Sequence, residues 1–192
     1  DPPNFVEISP DGQYVLVPRR SPDRLESVPI LGGPATDVTG ALGINGLNAC
    51  DVIDLPGTGD LVFRRLTASM ARSSWAGGPP QTVTPSLAVG RFIIAGARVS
   101  PEGTWLLYPT SGAGEQNRTL EAVNLTTLTP RTLLGTADLG LSGFVTGIVF
   151  PAGGQTVIYS AGLNGNRMRL YRQNLSSGPA MQSDDLPVGA GN

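Results

Sequence analysis

Histidine and lysine are missing altogether from this 192-residue chain, cysteine occurs once, and only 15% of the residues are charged. Without histidine there is neither the commonest metal ligand nor the usual near-neutral acid–base group, so a Ser-His-Asp triad is excluded. No serine stands in a G-x-S-x-G elbow either. A lone cysteine, Cys50, leaves no intrachain disulfide and no multi-cysteine zinc site. All thirteen cations are arginine and the net charge is −2, so the cationic surplus of a general nucleic-acid binder is lacking. No apolar run approaches the ~20 residues that cross a bilayer, and no charged-then-apolar leader precedes Asp1-Pro2-Pro3-Asn4. The chain is therefore expected to be a mature secreted product or an excised piece, without membrane insertion, cofactor or metal.

Turn formers are abundant. Glycine (26) and proline (17) make up more than a fifth of the chain, which suits many short strands and disfavours long amphipathic helices. From Phe5 to Val17, FVEISPDGQYVLV holds two alternating apolar runs about Ser9-Pro10-Asp11-Gly12. Pro10 pre-sets φ near −65°, and Asp11 and Gly12 tolerate the tight or positive-φ positions that follow. The pattern returns. LVPRR, ending at Arg20, reappears as LVFRR ending at Arg65, and GGPATDVT from Gly32 as GGPPQTVT from Gly77, each 45 residues on with no gap. A third copy, FIIAGARVSPEGTWLLY from Phe92, carries Ser100-Pro101-Glu102-Gly103. A fourth opens at Phe144 with FVTGIVFPAGGQTVIYSAG, and its LYRQNLSS from Leu170 matches LEAVNLTT from Leu120 at a spacing of 50.

Each copy reads as an inner strand, a Pro/Gly turn, a hydrophobic second strand, a polar loop, and two more strands about a Gly/Pro turn. Four-stranded meanders recurring every ~45 residues predict an all-β fold, a β-propeller of four-stranded antiparallel blades. The blades are placed at about 4–44, 45–90, 91–141 and 142–186 of one domain, with 187–192 as a tail. Their second strands are Tyr14–Val17, Leu61–Phe63, Trp105–Tyr108 and Val157–Tyr159. The units resemble the TolB-type propeller repeat, the carriers being Ser9-Pro10-Asp11-Gly12, Ser100-Pro101-Glu102-Gly103, Val157-Ile158-Tyr159-Ser160, Arg169-Leu170-Tyr171, Gly32-Gly33-Pro34 and Gly77-Gly78-Pro79. Copy two departs from the pattern and reads DLPG from Asp54 to Gly57. Propellers of that family usually have six or more blades. Four blades, with no strand visibly lent from one terminus, point to an open or partial propeller, a fragment, or half of a ring completed by another chain; a closed four-blade ring is less favoured.

On this layout nine of the thirteen arginines (Arg19, Arg20, Arg24, Arg64, Arg65, Arg72, Arg118, Arg167 and Arg169) fall in or beside the loops between strands two and three. The opposite rim carries Asp11, Asp54, Asp60 and Glu102. Repeat symmetry sets Arg19-Arg20 beside Arg64-Arg65, with Thr110-Ser111 and Ala161-Gly162 at the matching points of copies three and four. Guanidinium groups fork onto carboxylates and phosphates. Arg19, Arg20, Arg64 and Arg65, with Arg118 and Arg167 further round, are thus the candidate site for an anionic partner. Solvated loop charges, diluted by Asp23, Glu26 and Glu115, are the plainer and somewhat weightier alternative. The carboxylate pairs Asp51/Asp54 and Asp184/Asp185, the second in a probable tail, favour structural or solvated roles, and no catalytic residue is assigned. Cys50 aligns with Phe5 and is expected to be buried and inert. The triplets at Asn117, Asn124 and Asn174 would accept glycans only in a eukaryotic secretory pathway.

These features predict a non-enzymatic interaction module, periplasmic or extracellular in a bacterial envelope, which binds a protein or an anionic envelope polymer through rim loops. The resemblance implies the same, since TolB-type relatives act as periplasmic docking proteins. The alternatives are a gating or substrate-recognition propeller of a larger hydrolase and a structural subunit of a surface assembly.

Overall fold

In the computed structural model, the described residues are 6–19, 23–40, 52–65, 69–112, 118–135, 144–163, 167–177 and 181–187. They contain strands and turns and no helix. The strands form four antiparallel sheets, each a meander in chain order. The first holds β1 (Glu7–Ile8), β2 (Tyr14–Arg19), β3 (Arg24–Pro29) and β4 (Thr36–Asp37). The second holds β5 (Val52–Leu55), β6 (Asp60–Arg65), β7 (Ser69–Ser74) and β8 (Gln81–Thr82).

The third sheet departs from the sequence reading in its inner strand. FIIAGARV does not run straight through but divides into β9 (Arg91–Ile93) and β10 (Arg98–Val99), both paired to β11 (Trp105–Gly112). Gly96, at φ 109°, lies in the break, a conformation that side chains with a Cβ resist. β12 (Arg118–Asn124) and β13 (Pro130–Leu134) complete this sheet. The fourth consists of β14 (Phe144–Val149), β15 (Thr156–Leu163), β16 (Arg167–Asn174) and β17 (Met181–Pro187).

The sheets associate in pairs, in two compact units, residues 1–87 and 88–192. Alternation along the strands decides what each face buries. In the first unit Leu16, Leu25 and Val38 of one sheet meet Leu61, Phe63, Ala71 and Trp75 of the next. In the second unit Trp105, Leu107, Leu120 and Ala122 meet Val145, Val157, Tyr159 and Tyr171. The rings of Tyr159 and Tyr171 stack at 5.3 Å there, a contact worth about 0.5–1.5 kcal/mol beyond burial.

Register in the first unit corrects the gapless repeat. The Gln13 carbonyl accepts from the Ile30 amide as the Gly59 carbonyl accepts from that of Trp75. Ile30 and Trp75 are 45 residues apart, whereas Gln13 and Gly59 are 46 apart. The Gly-Gly turns keep the spacing of 45, with φ 95° and 140° at Gly32 and Gly33 against 93° and 136° at Gly77 and Gly78. Copy two lacks one residue between its second and third strands, so Arg24 pairs with Arg19 while Ser69 pairs with Arg65. A slip of one residue turns every side chain to the other face. Leu16 and Leu61 therefore face opposite ways, each toward the other's sheet, and the structural counterpart of Arg65 is Arg19, not Arg20.

Candidate functional site

The SPDG turn has a concrete chemistry. Ser9 Oγ accepts hydrogen bonds from the amides of Gln13 (3.1 Å) and Tyr14 (2.9 Å) and donates to Asp11 Oδ1 (2.6 Å), while the Gly12 amide closes the turn on the Ser9 carbonyl. Ser100 repeats this with the amides of Thr104 and Trp105. The Ser9 hydroxyl and the Gln13 amide hold the exposed Asp11 carboxyl below its usual range, so its charge is secured. Copy two lacks the serine, and Thr58 does part of its work: its hydroxyl donates to the Leu55 carbonyl and accepts from the Asp60 amide.

In the first unit the turns of the two sheets stand apart and enclose a cleft of about 580 Å³, lined among others by Asp11, Gln13, Tyr14, Thr58, Ser74 and Ala76. Its floor is braced. The buried Trp75 donates its indole N–H to Asp54 Oδ1 (2.8 Å), and Arg72 bonds Asp60 through Nε (2.7 Å). Arg72, placed by the sequence reading near the opposite rim, thus works mid-sheet. Partial burial pushes the carboxyls of Glu7 and Asp54 above their ordinary values, and Glu7 is raised further by the charge of Asp54. The second unit differs at the equivalent point. There the Glu102 carboxylate lies over Gly154 in the space that a Cβ at that glycine would need, so the turns of the third and fourth sheets are bridged.

Of the six candidate arginines, Arg19, Arg64 and Arg65 have described side chains. Arg65 is 8% exposed and reaches inward, its Nη1 donating to Thr82 Oγ1 and its Nη2 to the Thr39 carbonyl of the first sheet, each at 3.3 Å. It is a brace between two sheets, on the face that the register shift turns toward the first sheet. Arg19 and Arg24 share one carboxylate, Glu26, at 2.9 and 2.7 Å. Arg64 is half-buried, and Arg20 lies outside the described residues. Arg118 and Arg167 open β12 and β16, opposite Ser111 and Leu163.

Cys50, Asp51 and Asn117 also lie outside the described residues. Asp184 and Asp185 are not in a tail: they sit on β17, opposite Leu170 and Arg169. Asn124 and Asn174 close hairpin turns, their side-chain carbonyls accepting from the amides of Thr126 and Ser176. Arg91 went unnoticed in the sequence reading. Its Nη2 donates to Thr110 (2.6 Å) and Thr119 (2.9 Å), whose hydroxyls bond each other, so an arginine from the inner strand serves the third sheet where a second-strand arginine serves the second. The 45-residue spacing from Arg65 to Thr110 was the one available signal.

No protein-family model matches the chain, and no curated protein matches it in sequence. Its likeness is to solved structures. TolB from Acinetobacter baumannii superposes with a TM-score of 0.55 at 17% identity, over 95% of this chain and 43% of that one. Porphyromonas gingivalis dipeptidyl peptidase 4 gives 0.65 at 10% identity, over 92% of this chain and 32% of that one. An oligogalacturonate lyase in complex with manganese gives 0.52 at 12% identity, over 94% and 64%. The chain is an all-β protein of the β-propeller class, spanning less than half the length of the TolB and the peptidase it resembles.

Proposed function

We propose that this chain is a non-enzymatic interaction module of the bacterial envelope, and that it receives an extended segment of a partner protein in the cleft between the Ser9–Gly12 and Leu55–Gly59 turns. The observation that carries the reading is the difference between the units: the gap between turns is occupied by Glu102 in the second and open at about 580 Å³ in the first. That volume falls within the ~300–1,000 Å³ typical of ligand sites. Asp11 offers an exposed, reliably charged carboxylate at the rim, so a segment with a basic side chain is favoured over an anionic polymer. The envelope location rests on the resemblance of the SPDG units to the TolB-type repeat.

An anionic partner held by Arg19, Arg20, Arg64, Arg65, Arg118 and Arg167 loses support, because Arg65 is turned inward and Arg19 already has Glu26. Panning a displayed peptide library against the folded chain tests the cleft. Enriched peptides carrying arginine or lysine, captured at least about tenfold less well by Gln13→Trp and Ala76→Trp, support the proposal. Both positions are exposed, so the substitutions fill the cleft and leave the core alone. Equal capture by the plugged variants, or no enrichment, overturns it.

A further inference from the structure

Among the described residues the first-unit cleft has two carboxylates on its walls, and they differ in what they can still accept. Asp60 Oδ2 takes both Nε and Nη2 of Arg72, so its charge is matched inside the chain. No cation among the described residues pairs with Asp11. Its Oδ1 is engaged twice, by the Ser9 hydroxyl at 2.6 Å and by the Gln13 amide at 3.0 Å. An ionised carboxylate oxygen has about two lone-pair sites, so Asp11 offers a partner Oδ2 alone.

That single oxygen bears on which cation fits. A guanidinium gains over an ammonium by forking two parallel N–H bonds onto both oxygens of a carboxylate. At Asp11 the second arm of the fork meets the Ser9 and Gln13 donors instead of an acceptor. An ammonium is a compact point charge with three rotatable donors and needs no planar pair of acceptors. It can bond Oδ2 and turn its other donors to hydroxyls, which Thr58 and Ser74 bring to the walls of the same cleft. Copy three supplies a contrast. Glu102 holds the place of Asp11 there, and the turn closes in the same way, with the Gly103 amide on the Ser100 carbonyl and Ser100 Oγ accepting from Thr104 and Trp105. One methylene longer, the Glu102 carboxylate reaches past its serine and lies over Gly154. The turn thus accepts glutamate, while aspartate has the length that the serine holds by one oxygen.

We infer that the cleft selects lysine over arginine in the partner segment, because Asp11 presents a single acceptor oxygen. The inference rests on the cleft's being the binding site and adds which cation it takes.

Two displayed peptide libraries of one design provide the test, one with lysine and one with arginine as the sole cation, each panned against the 192-residue chain. The lysine library should be retained at least about threefold better. Asp11→Glu frees both oxygens, in a turn that copy three shows to accept glutamate, and the ratio should fall to about one. Asp11→Asn keeps an oxygen for Ser9 and Gln13 but removes the charge, so retention of the lysine library should drop at least about threefold. Arginine peptides held as well as lysine peptides, a lysine preference that Asp11→Glu leaves unchanged, or full retention by Asp11→Asn overturns the inference. The cleft reading survives any of these results if Gln13→Trp and Ala76→Trp still weaken capture. Capture insensitive to those two plugs, or no capture of either library, overturns the cleft reading and this inference together.

Discussion

The second sheet's inward face and the first sheet's outward face are built at the same register positions, yet they live in different surroundings. On the second sheet's inward face the residues are Leu61, Phe63 and Trp75, with Arg65 donating to a neighbouring carbonyl; on the first sheet's partly exposed outward face they are Val15, Val17 and Ile30, with Arg19 held by Glu26. The covered face carries larger side chains and the indole N–H is satisfied by Asp54. The partly exposed face carries smaller ones and pairs its charge locally. The lesson is that a repeat keeps backbone positions while the side chains at those positions differ.

Truncation breaks this comparison most sharply. Phe63→Ala should cost about 3–5 kcal/mol in urea denaturation, the usual loss for a buried aromatic that leaves a cavity. Val17→Ala, at the matching position of the first sheet, should cost about 1 kcal/mol, since part of its surface is already in water. Equal losses would show that the outer face is as tightly packed as the inner one.

The arginine pair comes next. Arg65→Ala removes a buried side chain and strands the Thr39 carbonyl, and the expected loss is about 2–3 kcal/mol. Arg19→Ala removes an exposed guanidinium from the part-buried Glu26, which keeps Arg24, and should cost about 1 kcal/mol. Thermal melts of the two variants decide it.

Gly32 and Gly77 sharpen the comparison because their φ values agree within two degrees while their surroundings differ. A Cβ at Gly32 meets open space, so Gly32→Ala bears only the cost of positive φ, about 1 kcal/mol. A Cβ at Gly77 would drive into Thr36 of the first sheet, and Gly77→Ala should lose up to about 3 kcal/mol.

The smallest effect is a pH dependence. Burial raises the folded-state pKa of Asp54 and Glu7, so the folded chain holds more protons than the unfolded one just above the ordinary carboxylate range. Their contribution is fully present below the unfolded values and declines as pH rises through the folded ones. Asp54→Asn keeps an oxygen for the Trp75 N–H and removes one charge, so it should flatten the fall in stability across that window in denaturation curves at stepped pH.

Much of the fold was legible in the sequence. Alternation about SPDG and SPEG located the second strands, because a serine that accepts two amides and a glycine at φ near 70° leave the turn little choice. The site was less legible. Four arginines at one spacing suggested a cluster, but copy two is one residue shorter between its second and third strands, so Arg65 matches Arg19 rather than Arg20, and a string match without gaps gives no sign of that. The pairing of Arg19 with Glu26 depends on cross-strand neighbours, and the bridging of Gly154 by Glu102 on two turns about 50 residues apart in the chain; neither leaves a local pattern.

That absent residue also bears on how such a chain can be engineered. An artificial array made by averaging copies one and two at their gapless spacing would merge Leu16 with Leu61, although one looks forward to the next sheet and the other back to the previous one. Every averaged unit would then present a seam with its inner and outer residues interchanged along the second strand. An array cut at the Gly-Gly turns, with the loop length of one parent kept throughout, would preserve the handed stacking and could be extended unit by unit.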